Sequence, residues 1–312
     1  MNSDPITRWT EPLRPAGYRP REVLGAGMEG TVLALGDDLI AKIWHRRTPD
    51  ALKTLKTFYD AVDQGLSGLR TPQIHEIIEL DGQFATIESL LPGQPLQTAT
   101  VNGEPVLEDE HISAIREVLT ALAAVTPSPG MGVLPILEDE PPFDTEAVPF
   151  AHSLARLVER RVEKFRTPLA AHLPNLDALA AAVIKGLLDL PPTPSALLHG
   201  DLIPANILVD EDLRPTAVLD FGFLSTTGDP AFDAAITASI YNMYGPHAAI
   251  HEARVDQALA DAFAYDPARL ALYRAAYALT TSNCFSPTGT DGHFTWSLSL
   301  LTRPTTLDAL PL

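Results

Sequence analysis

The stretch HGDLIPANILVD, residues 199–210, places His199, Asp201 and Asn206 at fixed short intervals just before an apolar run. Asp, Asn, Gly and Pro also make ordinary polar turns, so composition alone leaves a plain turn open. The chemical reading is more specific. A carboxylate such as Asp201 can accept the proton of an attacking hydroxyl, and the neutral side-chain oxygen of Asn206 suits a hard cation such as Mg²⁺. Asp220, in the later run VLDFG, supplies a second oxygen at the end of another apolar segment. Mg²⁺ keeps much of its water and typically takes one or two protein oxygens together with substrate phosphates, so this pair suits a metal–nucleotide better than a metal cage. His199, held between Leu198 and Gly200, reads as a brace for the loop rather than a proton carrier.

A second group lies near the amino terminus. Gly25, Gly27 and Gly30 fall between two strand-like runs in EVLGAGMEGTVLAL, rather than between a strand and a helix. That context argues against a dinucleotide site of the βαβ type and leaves two alternatives, a tight hairpin or backbone lying over phosphates. Lys42 favours the second. It interrupts the apolar run LIAKIW, where an ammonium is costly to bury without an anionic partner, and nucleotide phosphates would provide one.

In this order the pieces resemble the eukaryotic-like kinase fold: glycine-rich loop, strand lysine, His-x-Asp-x4-Asn, then Asp-Phe-Gly. HGDLIPANILVD together with VLDFGFLSTTGDPAFDAA resembles the aminoglycoside phosphotransferase and choline kinase family, and IESLLPGQPL resembles its linker between lobes. The resemblance runs from about residue 20 to about residue 245. It implies an α+β, protein-kinase-like two-lobe fold, with a small β-rich lobe over residues 1–91 and a larger, mostly α-helical lobe over residues 92–312. It also implies that Asp201 orients or deprotonates the acceptor hydroxyl and that Asn206 and Asp220 hold Mg²⁺. Lys42 would hold the α and β phosphates beneath the backbone of residues 25–30, and residues 88–91, Glu88 and Leu90 among them, would meet the adenine. Asp229 and Asp233 resemble the family's structural acids, while by position they also suit the cap of a helix starting at Pro230.

The implied reaction is transfer of the γ-phosphoryl group of ATP or GTP to a hydroxyl of a small molecule, an aminoglycoside-like or other antibiotic. Alternatives are a metabolite kinase of the choline, homoserine or sugar type, and a nucleotide-binding pseudokinase. Two features differ from the kinase pattern. The helix DALKTLKTFYDAVDQG contains no glutamate to pair with Lys42, which leaves Asp60 or Asp63 as substitutes. Only ten positions separate Asp220 from Pro230 and no Ala-Pro-Glu follows, which excludes a long peptide-binding activation segment.

The elements that must position these residues follow from periodicity. Alternating runs predict strands around residues 22–44 and again at IHEIIEL and QFATIESL, with turns at GDD (36–38) and DGQ (81–83). Thr48 and Pro49 open a helix that stops near Gly65. Apolar residues at spacings of three and four predict helices over 108–125, 149–166, 175–190, 230–244, 255–264 and 267–283. The proline-rich stretch 127–148 reads as a loop.

With 22 basic and 40 acidic residues, a net charge of -18, the chain repels nucleic acid and anionic membranes as a whole. A cationic acceptor would be drawn to Glu138, Asp139, Glu140, Asp144, Glu146 and Asp291, unless these acids only keep a loop solvated. Tyr241, Phe294 and Trp296 are candidates to line a less charged pocket. One cysteine, Cys284, allows no internal disulfide and reads as a buried, inert thiol. With no leader-like or membrane-length segment, a soluble cytoplasmic protein is expected.

Overall fold

Alternation along the strand around Lys42 divides its side chains between two faces, and the rest of the amino-terminal half follows from that division. The computed structural model describes residues 5–310 apart from 28, 37, 81, 97, 98, 102 and 103. Asp37 and Asp81, in two of the expected turns, therefore lie outside the described residues. Strands β1 (Glu22–Ala26), β2 (Gly30–Ala34), β3 (Leu39–Trp44), β4 (Ile74–Leu80) and β5 (Gln83–Ser89) form one sheet in the order β1-β2-β3-β5-β4. Each neighbouring pair is antiparallel. From β3, Ala41 and Ile43 enter a core with Leu33, Ala85 and Ile87, closed from behind by Trp9 and Leu13 of helix α1 (Pro5–Leu13). Trp44 goes to the opposite face, against helix α2 (Pro49–Gly65), which buries Leu52, Leu55, Phe58, Tyr59 and Val62. Thr48 caps α2 as its sequence predicts, accepting from the Ala51 amide at 3.3 Å.

The remaining chain is mostly helical. A short β6 (Gln94–Pro95) and a hairpin of β7 (Ala99–Val101) and β8 (Glu104–Val106) lead into helices α3 (Asp109–Ala123), α4 (Phe150–Lys164), α5 (Arg166–Ala170) and α6 (Leu176–Asp189). Then come β9 (Ala196–Leu198), β10 (Ile207–Val209), β11 (Pro215–Val218) and β12 (Thr226–Gly228), followed by α7 (Pro230–Ile240), α8 (Ala248–Phe263), α9 (Pro267–Thr281), α10 (Gly292–Leu301) and α11 (Pro304–Ala309). β10 pairs with both β11 and β6, and β9 pairs with β12. These two small sheets carry the loops that hold the candidate residues. The fold is thus the expected one, a β-sheet amino-terminal region joined to a mostly helical part.

The boundaries differ from expectation in informative places. The run 230–244 stops as a helix at Ile240, and the next begins at Ala248 rather than 255, because Gly245 and Pro246 break the chain between them. The stretch 127–148 is a loop that holds a 3-10 turn, Pro129–Gly132, and a bridge between Leu137 and Glu140. Helices α1, α5, α10 and α11 and strands β6, β7, β8, β9 and β12 do not follow from the periodicity. One buried cluster joins Trp44, Leu52 and Phe58 to Leu197, Val218, Phe221, Ala234 and Val255, so a single apolar core continues from the sheet into the helical part.

The glycines of the first turn are not equivalent. A β-carbon on Gly30 would lie 2.1 Å from the Ile43 carbonyl oxygen, whereas Gly25 and Gly27 have nothing within 4 Å. Gly30 is therefore required by the approach of β2 to β3. Gly30→Ala should lower stability by about 3 kcal/mol, and Gly25→Ala by no more than about 0.5 kcal/mol. Urea unfolding midpoints of the two variants check this, and equal midpoints would contradict the distinction.

Candidate active site

β3 aims Lys42 into the cleft opposite Thr86 of β5, and the loop after β11 brings Asp220 to meet it. Lys42 Nζ donates to Asp220 Oδ1 at 2.8 Å and lies 3.3 Å from Glu29 Oε2. Burial works against the charged ammonium, but Asp220 and Glu29 outweigh it, so the Lys42 pKa is raised. The ammonium also sits 4.2 Å from the centre of the Trp44 ring. Below it, Trp44 Nε1 donates to Thr86 Oγ1 at 2.9 Å, and the Thr86 hydroxyl donates to Glu88. Burial raises the Glu88 pKa, against the opposing pull of Thr86 and Lys42.

Neither Asp60 nor Asp63 of α2 meets Lys42. Asp60 pairs with Lys56 at 3.0 Å and Asp63 is exposed. The helix instead turns the buried Tyr59 toward this cluster, and burial with the charges of Glu88, Asp220 and Glu29 raises the phenol's pKa well above its ordinary value. A residue one methylene shorter than glutamate, on a helix whose inward face is filled by aromatics, leaves the pairing to the glycine-rich turn and the Asp-Phe-Gly loop.

The 199–210 loop is held from three sides. His199 is fully buried; Nε2 lies 2.8 Å from the Leu219 carbonyl oxygen and Nδ1 lies 3.2 Å from the Asp201 amide. These partners fit a neutral ring that donates through Nε2 and accepts through Nδ1, and burial pushes its pKa down to about 4. His199 is thus the brace its sequence context implied. Asp233 accepts the amides of His199 at 2.6 Å and Gly200 at 2.8 Å, reaching back from the first turn of α7. Gly200 has φ +81, and a β-carbon there would lie 2.4 Å from the Phe223 carbonyl oxygen. Ser225 Oγ donates to the His199 carbonyl at 2.6 Å and accepts the Gly222 amide at 2.8 Å, tying this loop to Asp-Phe-Gly. Asp229 takes the other predicted role, capping α7 at Ala231 and accepting from the Tyr273 hydroxyl at 2.7 Å.

Asp201 sits at the open side of this frame. Burial, then the nearby charges of Asp220 and Glu29, push its pKa up to about 6. Asn206 Nδ2 donates to the Asp201 carbonyl at 2.9 Å, which fixes the amide and leaves Oδ1 for another partner. The Leu219 amide donates to the Asn206 carbonyl at 2.8 Å, and Ile207 pairs with Val218, so Asn206 and Asp220 flank one end of the β10–β11 ladder. Asp220 itself adopts φ +53, a left-handed conformation that aspartate tolerates better than most residues. Two neutral or anionic oxygens beside an excess of carboxylates fit a divalent cation shared with phosphates; among the described residues no His, Cys, Asp and Glu group of three or more forms a fuller cage.

The remaining residues singled out by the sequence each have a definite place. Glu88 turns its side chain inward beneath Lys42, and the Leu90 amide already donates to the Asp38 carbonyl at 2.8 Å. Tyr241, Phe294 and Trp296 are core residues, not a pocket lining. Among the acids, Asp139 pairs with Arg161 at 2.9 Å and with Lys164, Glu140 pairs with Arg160 at 2.8 Å, and Asp291 caps α10. The local attraction for a cation is therefore weaker than the sequence count implies. Cys284 is partly buried, with its thiol pushed up to about 11 chiefly by burial, so it stays protonated and unreactive near neutral pH.

A sheet that presents a half-buried lysine to a loop bearing His-x-Asp-x4-Asn, with Asp-Phe-Gly between them, defines a kinase-like phosphotransferase. The sequence model of the phosphotransferase enzyme family matches residues 21–273, and the chain belongs to that family. It is a phosphotransferase with an alcohol group as acceptor. No curated protein matches it by sequence. Among solved structures it is similar to the macrolide 2′-phosphotransferase of Brachybacterium faecium, with 19% identity over 96% of this chain and 98% of that one and a TM-score of 0.56. The GDP and kanamycin complex of the aminoglycoside phosphotransferase APH(2″)-IIIa gives 17% identity, 95% and 96% coverage and a TM-score of 0.59. The ADP-bound aminoglycoside phosphotransferase APH(2″)-Ib gives 14%, 96% and 97%, and 0.58. At these identities the likeness is one of fold.

If Asp233 holds the loop through two amides, Asp233→Asn should leave one of them facing an amide donor. The expected cost is about 2 kcal/mol, with faster hydrogen exchange at the His199 and Gly200 amides. Unchanged exchange at both amides would remove this role.

Proposed function

We propose that the protein transfers the γ-phosphoryl group of ATP or GTP to a hydroxyl of a small, antibiotic-like molecule, with Asp201 as the acceptor's base. One observation carries the reading: the 2.8 Å pairing of Lys42 with Asp220, across 178 positions of sequence, beside the loop that presents Asp201 and Asn206. In the reaction, the acceptor oxygen forms a bond to the γ phosphorus as the bond from that phosphorus to the β–γ bridging oxygen breaks. The acceptor proton passes to Asp201. Lys42 would hold α and β phosphate oxygens, and the open space at Gly25 and Gly27 leaves room for phosphates beside the turn. Asn206 and Asp220 would hold Mg²⁺, which supplies positive charge to the phosphate oxygens when bound. Positioning and charge stabilisation account for most of the acceleration in such chemistry.

The acceptor side favours a molecule with an apolar face. Phe285 and Tyr244 are exposed, Phe223 stacks on Phe285 at 6.3 Å, and Phe285 meets His293 edge-on at 5.1 Å. Tyr244 joins this group through His293, its hydroxyl 3.4 Å from Nδ1, and the charge of Asp201 is felt at its phenol, which supports an acceptor face beside the base. Among the fold neighbours one is a macrolide phosphotransferase and another binds kanamycin, so a panel must include both apolar and cationic acceptors. A metabolite kinase shares all the catalytic residues and differs only in acceptor. The presence of Asp201, Asn206 and Asp220 together weighs against a pseudokinase.

Labelled ATP and GTP, with Mg²⁺ and a panel of macrolides, aminoglycosides, nucleosides and amino alcohols, test the reading. Transfer to one class should fall by about 10²–10⁴ in Asp201→Ala, with nucleotide affinity nearly unchanged. Turnover equal to the parent's would refute the assignment. The pH dependence has a definite sign. Asp201 must be ionised to accept a proton, so kcat/KM should decline as pH falls through about 6, rather than near the ordinary carboxylate value. Burial, the leading cause of that shift, persists when a cation neutralises Asp220. A profile flat from pH 7 down to 5 would contradict it.

A further inference from the structure

The glycine-rich turn carries one carboxylate, and that carboxylate bridges two cations. Glu29 Oε1 lies 2.8 Å from Arg47 Nη2, and Oε2 lies 3.3 Å from Lys42 Nζ. The turn is anchored in this position: the His45 amide donates to the Glu29 carbonyl at 2.9 Å, and the Gly27 amide to the Gly30 carbonyl at 2.9 Å. Arg47 lies just beyond His45 and Arg46 at the end of β3, with its guanidinium 5.7 Å from the Trp44 ring whose face also meets Lys42. It reaches the Asp-Phe-Gly turn as well, because a β-carbon placed on Gly222 would lie 3.9 Å from Arg47 Nη2. Lys42, Arg47 and Asp220 therefore face one another across the same small space, with the Glu29 carboxylate between the two cations.

An anion gripped by an ammonium and a guanidinium occupies the position a phosphate oxygen would take, since both groups prefer planar or tetrahedral oxyanions at this distance. Resting on the nucleotide reading above, we propose that Arg47 is a second phosphate-binding residue and that Glu29 fills its place until phosphate displaces it. Glu29 is thus an internal competitor for the oligophosphate of the incoming nucleotide. A plain surface ion pair is the competing explanation, and such pairs contribute little to stability. The two differ in what they do to ligands: an ornamental pair leaves phosphate affinity alone, whereas a competitor weakens it.

Calorimetric binding of ATP, GTP, inorganic tripolyphosphate, adenosine and guanosine to the full chain separates them. Glu29→Gln, which keeps shape and removes charge, should tighten ATP or GTP and tripolyphosphate by about fivefold to tenfold and leave the nucleosides unchanged. Arg47→Gln should weaken the same phosphates by about tenfold or more, with Arg47→Lys between it and the parent. Glu29 is exposed and Arg47 half-buried, neither in the core, so both variants should fold, and thermal midpoints check that. Unchanged phosphate affinity in Glu29→Gln and Arg47→Gln, or no binding of tripolyphosphate by any form, overturns the inference. Failure of both nucleotides to bind while tripolyphosphate follows the expected pattern would sink the nucleotide reading and leave the two-cation fork standing.

Discussion

The ion pair between Lys42 and Asp220 is the constraint around which the rest is arranged. It joins a strand of the sheet to a loop of the helical part at 2.8 Å, so both must be placed to within a fraction of an ångström. On one side, β3 is held between β2 and β5 and cannot slip by one residue without sending Lys42 into the apolar layer occupied by Ala41 and Ile43. On the other, Asp220 is placed by its neighbour. Phe221 packs 5.4 Å from Phe58 and 6.3 Å from Tyr59 of α2, and 4.5 Å from the ring of His199. One phenylalanine thereby links the helix, the histidine and the carboxylate that meets the lysine.

The loop bearing Asp201 depends on groups that never face the cleft. Backbone amides buried without partners cost free energy, and residues 199–200 would carry two of them. Asp233 supplies both acceptors from α7, while Ser225 bridges the same loop to Gly222. The negative charges gathered nearby are more than the cations answer locally. Asp201 and Glu88 respond with raised pKa values, burial being the first cause in each. A site in that condition is prepared for added positive charge, as a metal-bound nucleotide would bring.

Much of this was readable from the sequence because several signals coincide. The helix at Pro49–Gly65, the strands at 74–80 and 83–89 and the brace role of His199 all follow from local chemistry: a cap, an alternation, a ring beside a glycine. What escaped was set by long-range packing. Helix α1 has apolar residues Ile6, Trp9 and Leu13 at helical spacing, but the surrounding prolines mask that period. Strands β9 and β12 are three residues each, too short to show alternation. Asp60 was a reasonable partner for Lys42 by analogy of place, yet Lys56 one turn away claims it. The charge of Glu29 within a glycine turn was the available clue to its partner, and only the fold of the turn brings it to Lys42 and Arg47. Tyr241, Phe294 and Trp296 show the opposite error, since aromatic residues near a carboxy-terminal helix are more often core than lining.

The apolar core that continues from Trp44 and Phe58 into Leu197, Phe221 and Val255 has a consequence for the order in which the chain is made. During synthesis the sheet and α2 emerge before every segment that covers their inner face: α3 and residues 125–134 follow first, and Leu197, Val218, Phe221 and Val255 later still. Unlike a domain that closes on itself, this half leaves the ribosome with Trp44, Leu52 and Phe58 still open to water, and transiently uncovered apolar surface of this kind is where nascent chains associate wrongly. The amino-terminal sheet is completed by its own sequel, and the interval between the two is the most vulnerable period in the life of the molecule.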